Sequence, residues 1–314
     1  MKAFYQMSYS GPEASTYGEL PDTVAGKNQI LIEVKAVSIN PVDYKIKNGD
    51  IKIITGSKFP KIVGSDFAGI VKETGSSTTN FSSGDRVYGS VSVIFRKPGS
   101  LCELLANDPE KVRHIPQGMS FEEAASLPIA SLTALNGLRK CGITAGKSVL
   151  INGATGGVGH FAVQIAKAKG AFVTATCSSN NAELALKLGA DEVTGYGKED
   201  LAKFSDRFDA ILDAYGKMDY ADVCRLLKRK GTYASTLFMP TSYFSSVLVN
   251  LVYDKKLTSS NMRSKREDYE EIEKLFLEKK LKPVIENIFS LEKATEAFEF
   301  AERMKPRGKV IIKI

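Results

Sequence analysis

The residues of this chain best equipped for chemistry run Ser148-Val149-Leu150-Ile151-Asn152-Gly153-Ala154-Thr155-Gly156-Gly157-Val158-Gly159. A short apolar, partly β-branched run ends in a glycine cluster, and apolar residues then recur at helical spacing at Val158, Phe161, Ala162, Ile165 and Ala166. Period two gives way to period 3.6 across a tight turn, which predicts a strand, a turn and a helix. Glycines at such a turn let backbone N–H groups approach an anion, and the helix behind them aims its partial positive end at the same point. The chemistry on offer is the binding of a pyrophosphate. A glycine turn alone is weak evidence, and the register departs from G-x-G-x-x-G: with Gly156 and Gly159 in the second and third places, Ala154 stands in the first. What strengthens a dinucleotide reading is a second strand, Ala171 to Thr176, arriving about 20 residues later, where the ribose-reading residue of such a site falls.

Other chemistry is poorly provided for. Only two histidines, His114 and His160, occur, and Cys102, Cys141, Cys177 and Cys224 form no C-x-x-C pair. Zinc takes about three or four deprotonated N, S or O ligands, so both histidines are read as structural or surface residues and the cysteines as reduced thiols.

The elements around the turn fall into two kinds. Up to about Phe121 the pattern is mostly β: Gln29 to Val37 alternates apolar and polar, Ile70-Val71-Lys72 follows a glycine, and Gly84 to Gly89 is a turn leading into a short strand. Ser120-Phe121-Glu122-Glu123 then forms a capping box, followed by a helical stripe broken at Pro128. Beyond it, strands at Val149, Phe172, Val193, Phe208 to Asp213 and Gly231 to Thr236 alternate with helices over Val158 to Lys169, Ala182 to Leu188 and Asp222 to Leu227. Such alternation means an α/β fold with a parallel, doubly wound sheet. A charged helix over Glu267 to Lys279, a helix over Leu291 to Glu302 and a strand over Lys309 to Ile314 close the chain.

Size and charge exclude several classes. The 314 residues, 43% hydrophobic and 25% charged, suit a globular protein of about two domains. The net charge of +7 is spread among acids along the whole chain, and the one dense patch, Lys228-Arg229-Lys230, is read as a solvated surface at a helix end rather than a nucleic-acid site. No basic start with an apolar core and cleavage site is seen, nor any apolar run near the roughly 18 residues that span a bilayer, so a cytoplasmic protein with no membrane partner is expected.

With these elements in this order, three motifs carry a resemblance: Ser38-Ile39-Asn40-Pro41-Val42-Asp43-Tyr44-Lys45, Gly64-Ser65-Asp66-Phe67-Ala68-Gly69 and Thr155-Gly156-Gly157-Val158-Gly159. The chain resembles the medium-chain dehydrogenase/reductase superfamily, and within it the zinc-independent quinone oxidoreductase and alkenal reductase group. The resemblance extends to Leu281-Lys282-Pro283-Val284 and Arg307-Gly308-Lys309-Val310-Ile311. It implies a GroES-like β domain over 1–121, a Rossmann domain over 122–262, and a return over 263–314 that completes the first. Zinc relatives place Gly-His-Glu where this chain has Gly64-Ser65-Asp66, and a cysteine within the segment Ser38 to Asp43. Without those ligands no Lewis acid stabilises an alkoxide, whereas a quinone or α,β-unsaturated carbonyl carries its own electron sink and needs chiefly to be held beside a nicotinamide. Hydride transfer to such an acceptor is therefore the leading expectation. A zinc-free alcohol or sugar dehydrogenase and a non-catalytic NADPH-binding redox sensor are the alternatives.

The resemblance also implies site residues. Thr155, Gly156, Gly157 and Val158 form the cofactor turn, Tyr196 packs near the adenosine end, and Thr133 lies near the nicotinamide; a core tyrosine and a helix-cap threonine are the plain alternatives for the last two. Asn40, Tyr44 and Lys45 are the catalytic candidates, because the family's Asn-Pro-Val-Asp segment lines the substrate cleft. Lys45 could stabilise an enolate or hydroquinone anion and Asn40 could donate to the same oxygen; alternatively Lys45 pairs with Asp43 or Asp66 and only fixes the loop. Asp66 is read as a structural acceptor. Phe238, Tyr243, Phe244 and Leu248 could wall the acceptor pocket, belong to the core, or form a subunit contact of the homodimer some relatives make. Cofactor preference follows from charge: an acid at the end of the second strand binds the ribose 2′-hydroxyl of NADH and repels a 2′-phosphate. Here Thr176-Cys177-Ser178-Ser179-Asn180-Asn181 holds no acid, and Ser178, Ser179 and Asn181 can donate to a phosphate. NADPH is expected over NADH, although this loop lacks the lysine or arginine that NADPH-using relatives often carry.

Overall fold

The computed structural model describes residues 1–9, 14–78, 80–92, 98–237, 254–303 and 306–314. The chain forms two compact units, Met1–Ile129 with Ile285–Ile314, and Ala130–Val284.

The first unit is built on the strand Ile30–Ser38, whose inward residues Ile30, Ile32, Val34 and Val37 are buried with Phe4, Phe67, Leu105 and Phe298 in one core. The larger sheet runs Ile285–Ser290, Lys309–Lys313, Ile30–Ser38, Asp66–Thr74, Arg86–Ser90, Val112–His114, with Leu104–Asn107 also paired to Ile30–Ser38. The chain's last strand thus sits next to its central one, with Ile311 opposite Ser38. A helix absent from the sequence reading, Pro41–Asn48, follows at once. Its apolar stripe is short, but its ends are well marked: Pro41 opens it, Asp43 accepts from the Asn40 N–H at 2.8 Å, and Gly49 closes it at φ 81°.

The second unit is an all-parallel sheet of order Glu192–Thr194, Phe172–Thr176, Ser148–Asn152, Phe208–Asp213, Leu227–Ser235, Lys256–Ser259. Numbered along the chain, that is 3-2-1-4-5-6, the doubly wound Rossmann order, with its switch point between Ser148–Asn152 and Phe208–Asp213. The charged helix, Arg266–Leu277, belongs to this unit: Arg139 meets Asp268 at 2.5 Å and Glu271 at 3.0 Å. The unit boundaries therefore fall at Ile129 and Val284 rather than at 121 and 262. The Lys228-Arg229-Lys230 patch follows directly on the end of the helix Tyr220–Leu226 and lies in the strand Leu227–Ser235, where Lys228 pairs with Asp209 and Arg229 with Asp254 at 2.9 Å each. Phe238, Tyr243, Phe244 and Leu248 lie outside the described residues. Among the described residues no helix is long and apolar enough to cross a membrane.

The turn after Asn152 depends on two glycines. Gly153 takes φ 76°, and a Cβ at Gly159 would lie 2.0 Å from the Gly153 carbonyl oxygen, so the helix can start this close only without a side chain. At Gly156 a Cβ would meet only Gly153 O, at 3.4 Å. Gly159→Ala is expected to destabilise the fold by about 2–3 kcal/mol or more, and Gly156→Ala by no more than about 0.5 kcal/mol. Denaturant melts of the two variants check this, and equal losses would contradict it.

Candidate functional site

In the second unit the site grows from strand ends. Asp213, fully buried, closes its strand and accepts from Asn152 Nδ2 at 2.7 Å, Gly216 N at 2.7 Å, Met218 N at 2.9 Å and the Tyr233 hydroxyl at 2.8 Å. Asn152 in turn accepts from Thr176 Oγ1 at 2.6 Å, and Thr176 accepts through the same oxygen from Gly153 N at 3.2 Å. One carboxylate thereby locks the ends of four neighbouring strands at the switch point, where ligands of doubly wound sheets bind. Sequence reasoning took Asp213 only as a strand terminus; an acid ending an apolar strand was the available clue.

Above this lock lies the glycine turn. Thr155 is buried and accepts from Asn181 Nδ2 at 3.3 Å, while Gly156, Gly157 and Val158 are half-exposed. The positive φ demanded by the turn falls on Gly153, one residue before Ala154, which accounts for the irregular register. His160 is buried with Nδ1 2.9 Å from Gly156 O, a structural role, and His114 is exposed on the first unit. The open space over Gly156 and the N-terminus of the helix Gly159–Ala168 fit a dinucleotide pyrophosphate. Ser178 and Ser179 are exposed just past the second strand, and Tyr196, 50% exposed, stands with its ring 6.5 Å from that of Tyr215. Thr133 is buried within the helix Pro128–Lys140, its carbonyl accepting from Ser260 Oγ at 2.7 Å, the setting of a packed helix residue rather than a cap.

In the first unit Asn40, Tyr44 and Lys45 part company. Asn40, 2% exposed, donates through Nδ2 to Asp66 Oδ2 at 2.8 Å and accepts at Oδ1 from Lys309 Nζ at 2.6 Å. Ser38 Oγ also donates to Asp66 Oδ2, at 3.0 Å, and Ile129 N to Asp66 Oδ1 at 3.2 Å. The Asn40 amide is thus engaged at both ends within the protein, whereas the sequence suggested that it donates to an acceptor oxygen. Tyr44 is half-buried against the core, and burial, then the nearby Glu302 and Asp43, raise its phenol pKa, so it stays protonated and packed. The cation beside Asp43 and Asp66 is Lys309, not Lys45. The reason is helical geometry: positions two apart point to different sides, so the Asp43 that faces inward leaves Lys45 turned elsewhere. Among the described residues Lys45, half-buried, enters no ion pair, and of the three candidates it is the uncommitted polar head.

Burial pushes the Asp43 carboxyl up to about 7 and the Asp66 carboxyl up to about 6, with Lys309 opposing both, and burial lowers Lys309 itself. Each acid is protonated more readily folded than unfolded. The folded chain therefore holds extra protons between about pH 4 and pH 7, and these groups' contribution to stability falls as pH rises through that window. Asp43→Asn, which keeps an oxygen for the Asn40 N–H, is expected to flatten that decline and to be more stable relative to wild type at pH 8 than at pH 4. Urea melts across the range check this; parallel curves would contradict it.

Residues 26–136 match the family described as "Alcohol dehydrogenase GroES-like domain" and residues 188–312 the family described as "Zinc-binding dehydrogenase". The chain is similar to the 2-methylene-furan-3-one reductase of Solanum lycopersicum, 35% identical over 91% of this chain and 72% of that one. It is similar also to the chloroplastic NADPH-dependent alkenal/one oxidoreductase of Arabidopsis thaliana, 32% identical over 99% of this chain and 79% of that one. Among solved structures, the quinone oxidoreductase from Coxiella burnetii superposes with a TM-score of 0.91 at 33% identity, covering 100% of this chain and 99% of its own.

Proposed function

The chain belongs to the medium-chain dehydrogenase/reductase superfamily, in its group of quinone oxidoreductases and alkenal reductases, and is an NAD(P)H-binding oxidoreductase; from that premise we propose that it is a zinc-independent, NADPH-dependent reductase of quinones or α,β-unsaturated carbonyls. The observation that carries this reading is the buried network of Ser38, Asn40, Asp66 and Lys309. Ser38, Asn40 and Asp66 stand in the motifs in which zinc relatives hold their metal ligands, and Lys309 reaches them from the last strand. A lysine ammonium hydrogen-bonded at 2.6 Å to Asn40 would repel a dication, and the motifs offer no thiolate or imidazole. Among the described residues no group of three or more His, Cys, Asp or Glu side chains is arranged to hold a metal ion.

The reduced nicotinamide, when bound, supplies a hydride. What remains for the protein is holding and charge stabilisation. The turn Gly153–Val158 and the helix behind it hold the pyrophosphate, and Ser178, Ser179 and Asn181 offer uncharged donors to a 2′-phosphate with no acid to repel it. Asn40, held by Lys309 and Asp66, fixes the start of the helix Pro41–Asn48 and so the placement of Lys45. The Lys45 ammonium would stabilise the negative charge that appears on an acceptor oxygen as an enolate or hydroquinone anion forms.

Two outcomes are expected. Steady-state NADPH oxidation by chelator-treated protein should proceed with at least one conjugated acceptor among ortho-quinones, para-quinones, enals and enones, and faster than with NADH; saturable NADPH binding with no turnover on any of them would favour a redox sensor instead. Lys45→Met should lower kcat about tenfold to a hundredfold with the NADPH Kd unchanged, the scale of losing one stabilising charge at a developing oxyanion. An unchanged kcat would remove Lys45 from the mechanism.

A further inference from the structure

The loop that should read the adenosine ribose, Thr176 to Asn181, has donors but no cation. A phosphate dianion bound by hydroxyls and amides alone forgoes the stronger charge-assisted contacts. The strand order shows what else reaches this edge. Tyr196 follows the third strand and Tyr215 the fourth, which flank the second and first on opposite sides. Their rings are nevertheless 6.5 Å apart, so the two loops lean toward each other over the strand ends. Tyr215 also borders the glycine turn, since a Cβ on Gly153 would meet Tyr215 Cβ at 3.2 Å. On the other flank, Cys177 N donates to Thr194 O at 3.1 Å, tying the start of the Ser178-Ser179 loop to the strand that leads to Tyr196. The Tyr196 phenol, its pKa pushed up to about 12 chiefly by burial and also by Cys177 and Tyr215, remains a hydrogen-bond donor at neutral pH. Into this arrangement the fourth strand's loop brings Lys217, whose Nζ lies 5.2 Å from the Tyr215 ring centroid, over its face.

We propose that Lys217 is the specificity-determining cation of the cofactor site: stacked on Tyr215, it supplies from the fourth strand's loop the positive charge for the ribose 2′-phosphate that the second strand's loop lacks. Lys217 is exposed and paired with no acid among the described residues, so its charge is open to an incoming anion, and the ring beneath it limits the range its side chain explores. The inference rests on the NADPH preference proposed above and names the residue that produces it. Lys198, two residues past Tyr196, opens the helix Lys198–Ala202 and serves as the control.

The test is calorimetric titration of the intact protein with NADPH, NADH, 2′,5′-ADP and 5′-AMP, in wild type, Lys217→Met and Lys198→Met, with circular dichroism to verify the fold. Lys217→Met is expected to weaken NADPH and 2′,5′-ADP about tenfold or more, the scale of one charge-assisted contact, while NADH and 5′-AMP change less than about twofold. Lys198→Met is expected to leave all four affinities within about twofold. The proposal is overturned if Lys217→Met leaves the phosphate preference intact, if it weakens phosphorylated and unphosphorylated ligands equally, or if the selective loss appears in Lys198→Met instead. Failure of the underlying reading looks different: wild-type protein would then bind NADH as tightly as NADPH before any lysine is changed. Selective binding without turnover would instead leave Lys217 in place and remove only the reductase activity.

Discussion

The first unit depends on an ammonium taken out of water. Lys309 Nζ, in the chain's last strand, donates to Ile39 O at 3.0 Å and Asn40 Oδ1 at 2.6 Å, beside the buried Asp43 and Asp66. Burying such a group is unfavourable by several kcal/mol unless its partners are well placed. Here each partner does a second job. Asp66 accepts from Ser38, Asn40 and Ile129, Asp43 caps the helix that carries Lys45, and Asn40 joins the acid to the base. Burial raises both acids and lowers the base, and the attraction between them opposes each shift. The arrangement favours orientation over net stability, and the element it orients is the Asn40 to Lys45 segment.

A comparable division holds in the second unit. Asp213 has no exposed surface, yet its bonds decide where the loops after four strands begin. The glycines then set how close a ligand can come: Gly159 lets the helix start against Gly153, and Gly156 leaves space above. Each unit thus holds buried carboxylates whose hydrogen bonds fix the start of a neighbouring helix or loop.

Local constraints were legible in the sequence. The Ser120 to Glu123 box forms as expected, with reciprocal bonds of 3.0 and 3.1 Å, because both partners lie within one helical turn. The turn after Asn152 was legible for the same reason. Contacts between distant residues were not. Lys309 follows Arg307 and Gly308 like any strand-opening lysine, and nothing nearby in sequence shows that it meets Asn40, 269 residues away. The Arg139 pair with Asp268, 129 residues on, likewise holds the helix Arg266–Leu277 in a unit that composition alone would end earlier. Tyr215 escaped notice because its meaning comes from Tyr196, which reaches it only through the strand order. The resemblance pointed to Asn40, but nothing near it in sequence shows that both ends of its amide are engaged by Asp66 and Lys309.

The proposed reaction is direct hydride delivery to a conjugated carbonyl without a metal. The most direct measurement is mass spectrometry of the product formed from an enone and NADPH carrying deuterium in the transferred C4 position, with protein stripped of metal by a chelator. The account predicts one deuterium retained at the β-carbon and a rate indifferent to chelation. Deuterium washed out to solvent, or turnover that disappears on chelation and returns with zinc, would contradict it.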